Sequence, residues 1–121
     1  MPSIDPITKY ILKEAIFKKN YYKKIEKQMS QINKSYRTQL GNCEDRVKDE
    51  KQKYICYIKT AQKYISTLRL YINKLRPMCN NEKNKNECLN AIDWYIKSTI
   101  NEEQHEIKLW LKAIKEIEME R

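Results

Sequence analysis

Residues 47–75 constrain the fold more than any other part of this chain. They contain no Gly and no Pro, and after one longer gap their apolar residues recur at steps of three and four: Val47, Tyr54, Ile58, Ala61, Ile65, Leu68, Ile72 and Leu75. This spacing places an apolar stripe along one face of a helix, as in a coiled-coil seam. The helix must end by Arg76, because Pro77 disfavours helical geometry in the residue before it.

The segment before this helix carries the same periodicity. Asp5 and Pro6 suit the cap and the first position of a helix, and from Tyr21 to Leu40 the apolar residues again step by three and four. Gly41 follows, and a helix often ends at a glycine because glycine adopts positive φ without strain. We therefore predict a first helix that begins near Asp5 and ends at Gly41.

The segment after residue 86 also has a helical pattern, with apolar residues that recur from Leu89 to Ile117. Residues 98–104 interrupt it with polar side chains, among which Thr99 and Glu102 have the spacing of a capping box. The last segment is therefore predicted to be either one bent helix or two shorter ones.

The scarcity of turn-forming residues excludes most other folds. The chain has one Gly and three Pro in 121 residues, whereas tight turns usually need Gly, Pro, Asn or Asp. No apolar run approaches the roughly 18 residues of a membrane span. We predict a single all-α domain over residues 1–121, a bundle of three long helices. The first and the last of these helices could each be broken into shorter ones.

Four cysteines, Cys43, Cys56, Cys79 and Cys88, have the spacing C-x12-C-x22-C-x8-C. Zinc sites usually draw on close pairs of cysteines, and none is present here. A helix over residues 47–76 would be about 45 Å long, so it would separate the first two cysteines from the last two. Disulfides need Cα atoms within about 7 Å, which favours pairing between neighbours: Cys43 with Cys56, and Cys79 with Cys88.

The first of these pairs carries a condition. If residues 43–56 were one helix, the two sulfurs would lie about 20 Å apart. The pair therefore requires residues 43–48 to be an extended or looped segment before a helix that starts nearer Asp49. Four reduced cysteines in a cytosolic protein remain the alternative. The charged loop beside Cys79 and Cys88 favours disulfides, and hence an extracellular or periplasmic protein.

No catalytic constellation stands out in the sequence. His105 is the only histidine; with Glu102 it has the spacing of half a di-metal motif, but such sites need a second histidine. Phosphate-binding loops need several glycines. We therefore expect no enzymatic activity, no metal or other cofactor, and no small-molecule substrate.

The net charge of +9 is concentrated in the first two thirds of the chain, which favours an anionic partner. Residues 17–28 carry the densest basic cluster, predicted to form one surface: Lys18, Lys19, Lys23, Lys24, Lys27, Tyr21 and Tyr22. Its lysines suit a heparin-like polymer, a nucleic acid, anionic lipid or an acidic protein face. The alternative is an ordinary solvated helix face. Arginine is scarce there, so base-specific recognition is not indicated.

A short, basic, helical chain with cysteines at positions 43, 56, 79 and 88 resembles the small salivary proteins of blood-feeding flies. In particular it is similar to the anophensin/albicin group of mosquito salivary inhibitors. The resemblance covers the whole chain. It implies inhibition of host defence by protein binding, in either the alternative complement pathway or the contact (kallikrein–kinin) system.

These observations together predict a secreted, non-enzymatic binding protein that occupies a surface on a host plasma protein. The basic first helix and the exposed tyrosines are its expected contact surface. Two alternatives remain: a periplasmic immunity or inhibitor protein that acts against a toxin, and a basic helical nucleic-acid-binding protein.

Overall fold

The computed structural model describes residues 21–120. Three helices and one short 3₁₀ turn account for most of them: α1 (Lys23–Arg46), α2 (Glu50–Leu75), the 3₁₀ turn (Arg76–Cys79) and α3 (Lys85–Met119). No strand occurs within that range. The predicted three-helix, all-α class is confirmed, whereas the predicted start of the first helix at Asp5 lies outside the described residues. None of the helices between residues 21 and 120 has the length and apolar character to cross a membrane.

The predicted end of the first helix at Gly41 is wrong. Gly41 lies inside α1, which continues to Arg46, and no described glycine has positive φ. The reversal comes at residues 47–49, where Val47 is extended. Asp49 then caps α2 by accepting a hydrogen bond from the backbone N–H of Gln52 at 3.0 Å. A glycine inside a helix costs only about 1 kcal/mol, less than the packing of one buried residue beyond it contributes.

Of the two alternatives left open for the last segment, the structure contains the single helix, because α3 runs unbroken through residues 98–104 from Lys85 to Met119. The hydroxyl of Thr99 donates to the backbone carbonyl of Tyr95 at 2.8 Å, so it bonds back into its own helix and caps no new one. The true start of α3 is capped by Asn84, whose side chain accepts from the backbone N–H of Glu87.

The core lies where α2 packs against both α1 and α3. Apart from alanines and cysteines, the apolar side chains that are at most 2% exposed are Ile25, Met29, Leu68, Leu75, Ile92 and Ile96. Burial of a side chain of this size stabilises the fold by about 1.5–3 kcal/mol. The last third of α3 is less well covered: Leu109 and Leu111 are 47% and 48% exposed.

Two disulfides link the helices at opposite ends of α2, and both predicted pairs are confirmed. Cys43, in the last turns of α1, bonds to Cys56 early in α2, with their Cα atoms 5.8 Å apart. Cys79, at the end of the 3₁₀ turn, bonds to Cys88 at the start of α3, with a Cα separation of 5.6 Å. The extended or looped segment predicted for residues 43–48 is wrong for residues 43–46, which belong to α1. Two antiparallel helices joined at residues 47–49 bring Cys43 and Cys56 together instead.

Candidate functional site

The predicted basic surface is partly described. Three of its five lysines fall within the described residues, and all three are exposed: Lys23, Lys24 and Lys27. Lys18 and Lys19 lie outside the described residues. The ammonium group of Lys24 lies 2.5 Å from the carboxylate of Glu82, so part of its charge is neutralised within the molecule. Lys23 and Lys27 are the described lysines of this surface that remain fully available to a partner, and a role in binding stays a prediction.

The two tyrosines of the predicted surface face the interior. Tyr21 is only 7% exposed and belongs to the core. Tyr22 is partly buried, and its ring centroid lies 5.7 Å from that of Tyr95 on α3. A partner bound to this end of α1 would therefore meet lysines, with little of either aromatic ring.

A second basic surface lies on α2, and the sequence analysis missed it. Residues 51–81 contain no Asp or Glu, and the exposed cations of this stretch form what we call the α2 cationic face: Lys59, Lys63, Arg69, Lys74 and Arg76. At 100° per residue they occupy about half of the helix circumference, and at 1.5 Å per residue they extend over about 26 Å. None of them forms an ion pair with another residue in the range 21–120.

A groove of ≈ 510 Å³ lies on another side of the bundle, between α1 and α3, with α2 contributing to its floor. We call it the aromatic groove, because five of its lining residues are aromatic. The full lining comprises Tyr22, Asn33, Tyr36, Arg37, Tyr64, Trp94, Tyr95, Ser98, Thr99, Glu102 and Glu103. The rings of Tyr36 and Tyr64 stack face to face, with centroids 4.1 Å apart and an interplanar angle of 6°.

Hydrogen bonds fix the buried tyrosines of this groove. The hydroxyl of Tyr64 donates to the side-chain oxygen of Asn33 at 2.6 Å. The Asn33 amide in turn donates to the hydroxyl of Tyr95 at 3.3 Å. The hydroxyl of Tyr36 donates to the carboxylate of Glu103. These bonds join α1 to α2 and α3, and they hold the rings in one arrangement.

The carboxylates around the groove make its electrostatic environment acidic. Burial raises the pKa of Tyr36, Tyr64 and Tyr95 above the ordinary value of 10.0, and carboxylates near each ring raise it further. Burial also raises the pKa of Glu103, although the hydrogen bond from Tyr36 works in the opposite direction. The lining of the groove thus contains two carboxylates, Glu102 and Glu103, and one cationic side chain, Arg37.

Residues 21–120 contain no group of His, Cys, Asp and Glu side chains arranged to hold a metal ion, and His105 is exposed on α3. No protein-family model, no curated protein and no solved structure matches this chain. The resemblance to salivary inhibitors therefore stays a prediction. The disulfides, the α2 cationic face and the aromatic groove are the observations from which a function can be argued.

Proposed function

We propose that this chain is a secreted, non-enzymatic binding protein that inhibits a host defence system by occupying the surface of a host plasma protein. The target would belong to the alternative complement pathway or to the contact system, as the resemblance implies. The observation that carries the proposal is the pair of disulfides at the two ends of α2. Structural disulfides persist in oxidising compartments such as the extracellular space.

The same disulfides suit a protein that works by binding. Each of the two helix connections, at residues 47–49 and 76–84, is cross-linked by one of them. The outer faces of the helices are thereby held in fixed relative positions, so little conformational entropy is lost when a partner docks.

The α2 cationic face is the contact surface that we assign to this activity. Its five cations have no acidic neighbour between residues 51 and 81, and none is neutralised by an ion pair within the described residues. A surface of this kind attracts an acidic protein face and accelerates the encounter with it. Lys23 lies where α1 begins, at the end of the bundle where α2 finishes, and adds positive charge there.

Capture from plasma tests the activity. Immobilised, oxidised protein is incubated with human plasma at physiological ionic strength, and the retained proteins are identified by mass spectrometry. We expect enrichment of a complement or contact-system component and dose-dependent inhibition of alternative-pathway haemolysis or of kallikrein generation. If no such component is enriched and neither assay is inhibited, the proposal is wrong.

A matched pair of variants tests the surface. Lys59→Glu/Lys63→Glu reverses an i, i+4 lysine pair on the α2 cationic face, and Lys108→Glu/Lys112→Glu does the same on the exposed side of α3. Each changes the net charge by four units, so general attraction is weakened equally. We expect about a tenfold or greater loss of affinity for the α2 variant alone, because like charges then meet at the interface. Equal losses in both variants would exclude the α2 cationic face as the contact surface.

A further inference from the structure

We propose that the aromatic groove between α1 and α3 is a binding site for an organic cation, specifically an ammonium group carried on an apolar or aromatic stem. The inference is independent of the proposed host partner, because it uses a different surface of the bundle and different chemistry. It concerns a ligand, whereas the expectation from the sequence was that the chain has no small-molecule substrate.

The walls of the groove provide the first argument. Small-ligand sites are concave, lined by aromatic side chains, and usually about 300–1,000 Å³ in volume; this groove measures ≈ 510 Å³ and has four tyrosines and Trp94 in its lining. Tyr36, Tyr64 and Tyr95 are at most 9% exposed and form the floor, whereas Tyr22 and Trp94 are half-buried. The rings therefore offer an apolar surface for the stem of such a ligand.

Charge provides the second argument. Glu102 and Glu103 both line the groove. Glu103 is engaged by the hydroxyl of Tyr36, whereas Glu102 is exposed and forms no hydrogen bond or ion pair with another described residue. Its carboxylate is therefore available to an incoming cation. The positive charge of the whole protein would otherwise repel such a ligand, and these carboxylates supply negative charge at the groove itself.

The fixed arrangement of the groove provides the third argument. The stacked rings of Tyr36 and Tyr64 and the hydrogen bonds through Asn33 hold the floor without any ligand. A ligand would therefore not have to order the site, which lowers the entropic cost of binding. Arg37 is the one cationic side chain in the described lining, so we expect the ammonium group to lie toward Glu102 and the apolar stem to lie over the rings.

Two sources can supply this chemistry: a free arylalkylamine, or a lysine side chain of another protein. The test uses isothermal titration calorimetry with three probes: 2-phenylethylamine, its uncharged analogue 2-phenylethanol, and N-acetyl-lysine methylamide as the side-chain mimic. We expect saturable binding of at least one amine and none of the alcohol. Binding of the lysine mimic alone would identify a protein side chain as the source, and binding of 2-phenylethylamine alone would identify a free amine.

Variants localise the binding. Glu102→Gln should weaken amine binding about fivefold or more, because it removes the available carboxylate, and Arg37→Gln should strengthen it by removing the opposing charge. The matched control is Glu116→Gln, an exposed carboxylate about 21 Å further along α3, which should leave affinity unchanged. The proposal is overturned if no amine binds at millimolar concentration, if the alcohol binds equally well, or if Glu102→Gln and Glu116→Gln have the same effect.

Discussion

Removal of the disulfide between Cys79 and Cys88 should destabilise the protein by about 4 kcal/mol. The change is Cys79→Ala/Cys88→Ala. For the sequence separation of 9, the loss of chain restriction in the unfolded state corresponds to about 2.6 kcal/mol at 25 °C. Both cysteines are 0% exposed, so the variant also removes two sulfur atoms from the core. At about 0.8 kcal/mol for each buried group of methylene size, that adds about 1.6 kcal/mol.

The assay is guanidinium denaturation followed by helical circular dichroism without reductant, and the comparison is Cys43→Ala/Cys56→Ala. In the comparison variant the two cysteines are 13 positions apart, so the lost chain restriction corresponds to about 2.9 kcal/mol. Cys43 is buried but Cys56 is only partly buried, so the loss of core packing is smaller than in Cys79→Ala/Cys88→Ala. A loss below about 1 kcal/mol in Cys79→Ala/Cys88→Ala would refute the reasoning. A clearly larger loss in the comparison variant would show that loop length outweighs burial.

Three further predictions concern α1 and the aromatic groove. Gly41→Ala should raise stability by about 0.8–1 kcal/mol in thermal melts, because Gly41 is helical and nothing lies within 4 Å of an added Cβ. Burial raises the pKa of Glu103 above 4.5, so the folded state favours the protonated carboxyl. The free energy of unfolding should therefore fall as pH rises from 4.5 through the pKa of Glu103 in the folded protein. Denaturation measured between pH 4 and 7 should lose this dependence in Glu103→Gln. The pKa of Tyr36 and that of Tyr64 are raised above 10.0, mainly by burial. The contribution of the two neutral hydroxyls to the stability of the fold is therefore complete below pH 10 and is lost as pH rises further. The phenolate absorbance of these two tyrosines at 295 nm should appear together with unfolding.

The parts of the fold that were predictable depend on strong, repeated signals. The apolar stripe of residues 47–75 predicted the start of α2 to within three residues, and the last residue of the stripe, Leu75, is the last residue of α2. The rigid length of that helix then separated the cysteines into the two pairs that the structure contains. In both cases a pattern sustained over many residues, or a geometric limit, left few alternatives.

Local sequence signals for the end of a helix gave wrong indications because each corresponds to a small free energy. Gly41 and the capping-box spacing of Thr99 and Glu102 each correspond to about 1 kcal/mol in favour of a helix end. Beyond Gly41 lies buried Cys43, and beyond Thr99 lie Ile107 and Trp110, which pack against the core cluster. Continuing the helix through the weak signal brings these side chains into contact, and that packing outweighs the local preference.

The two surfaces differ in how far the sequence could reveal them. The α2 cationic face follows from the helical phase of residues 51–81 and their lack of acidic residues, so the charge pattern of this segment predicts it. The aromatic groove depends on contacts such as the one between Tyr36 and Glu103, which are 67 positions apart. No local pattern fixes the relative placement of α1 and α3, so the groove was not predictable.

The α2 helix also separates the two surfaces from each other. Around the helix axis, Lys59 and Arg69 lie about 140° from Tyr64, whereas Lys63 borders on Tyr36 and Tyr64. A protein partner centred on Lys59 and Arg69 would therefore leave the groove open, and an amine in the groove would leave these two cations uncovered. Because disulfides hold both ends of α2, occupation of one surface should cause little rearrangement at the other. The affinity of a plasma partner should consequently be unchanged by saturating amine, and reciprocal coupling between the two ligands would show that they share a surface or a conformational change.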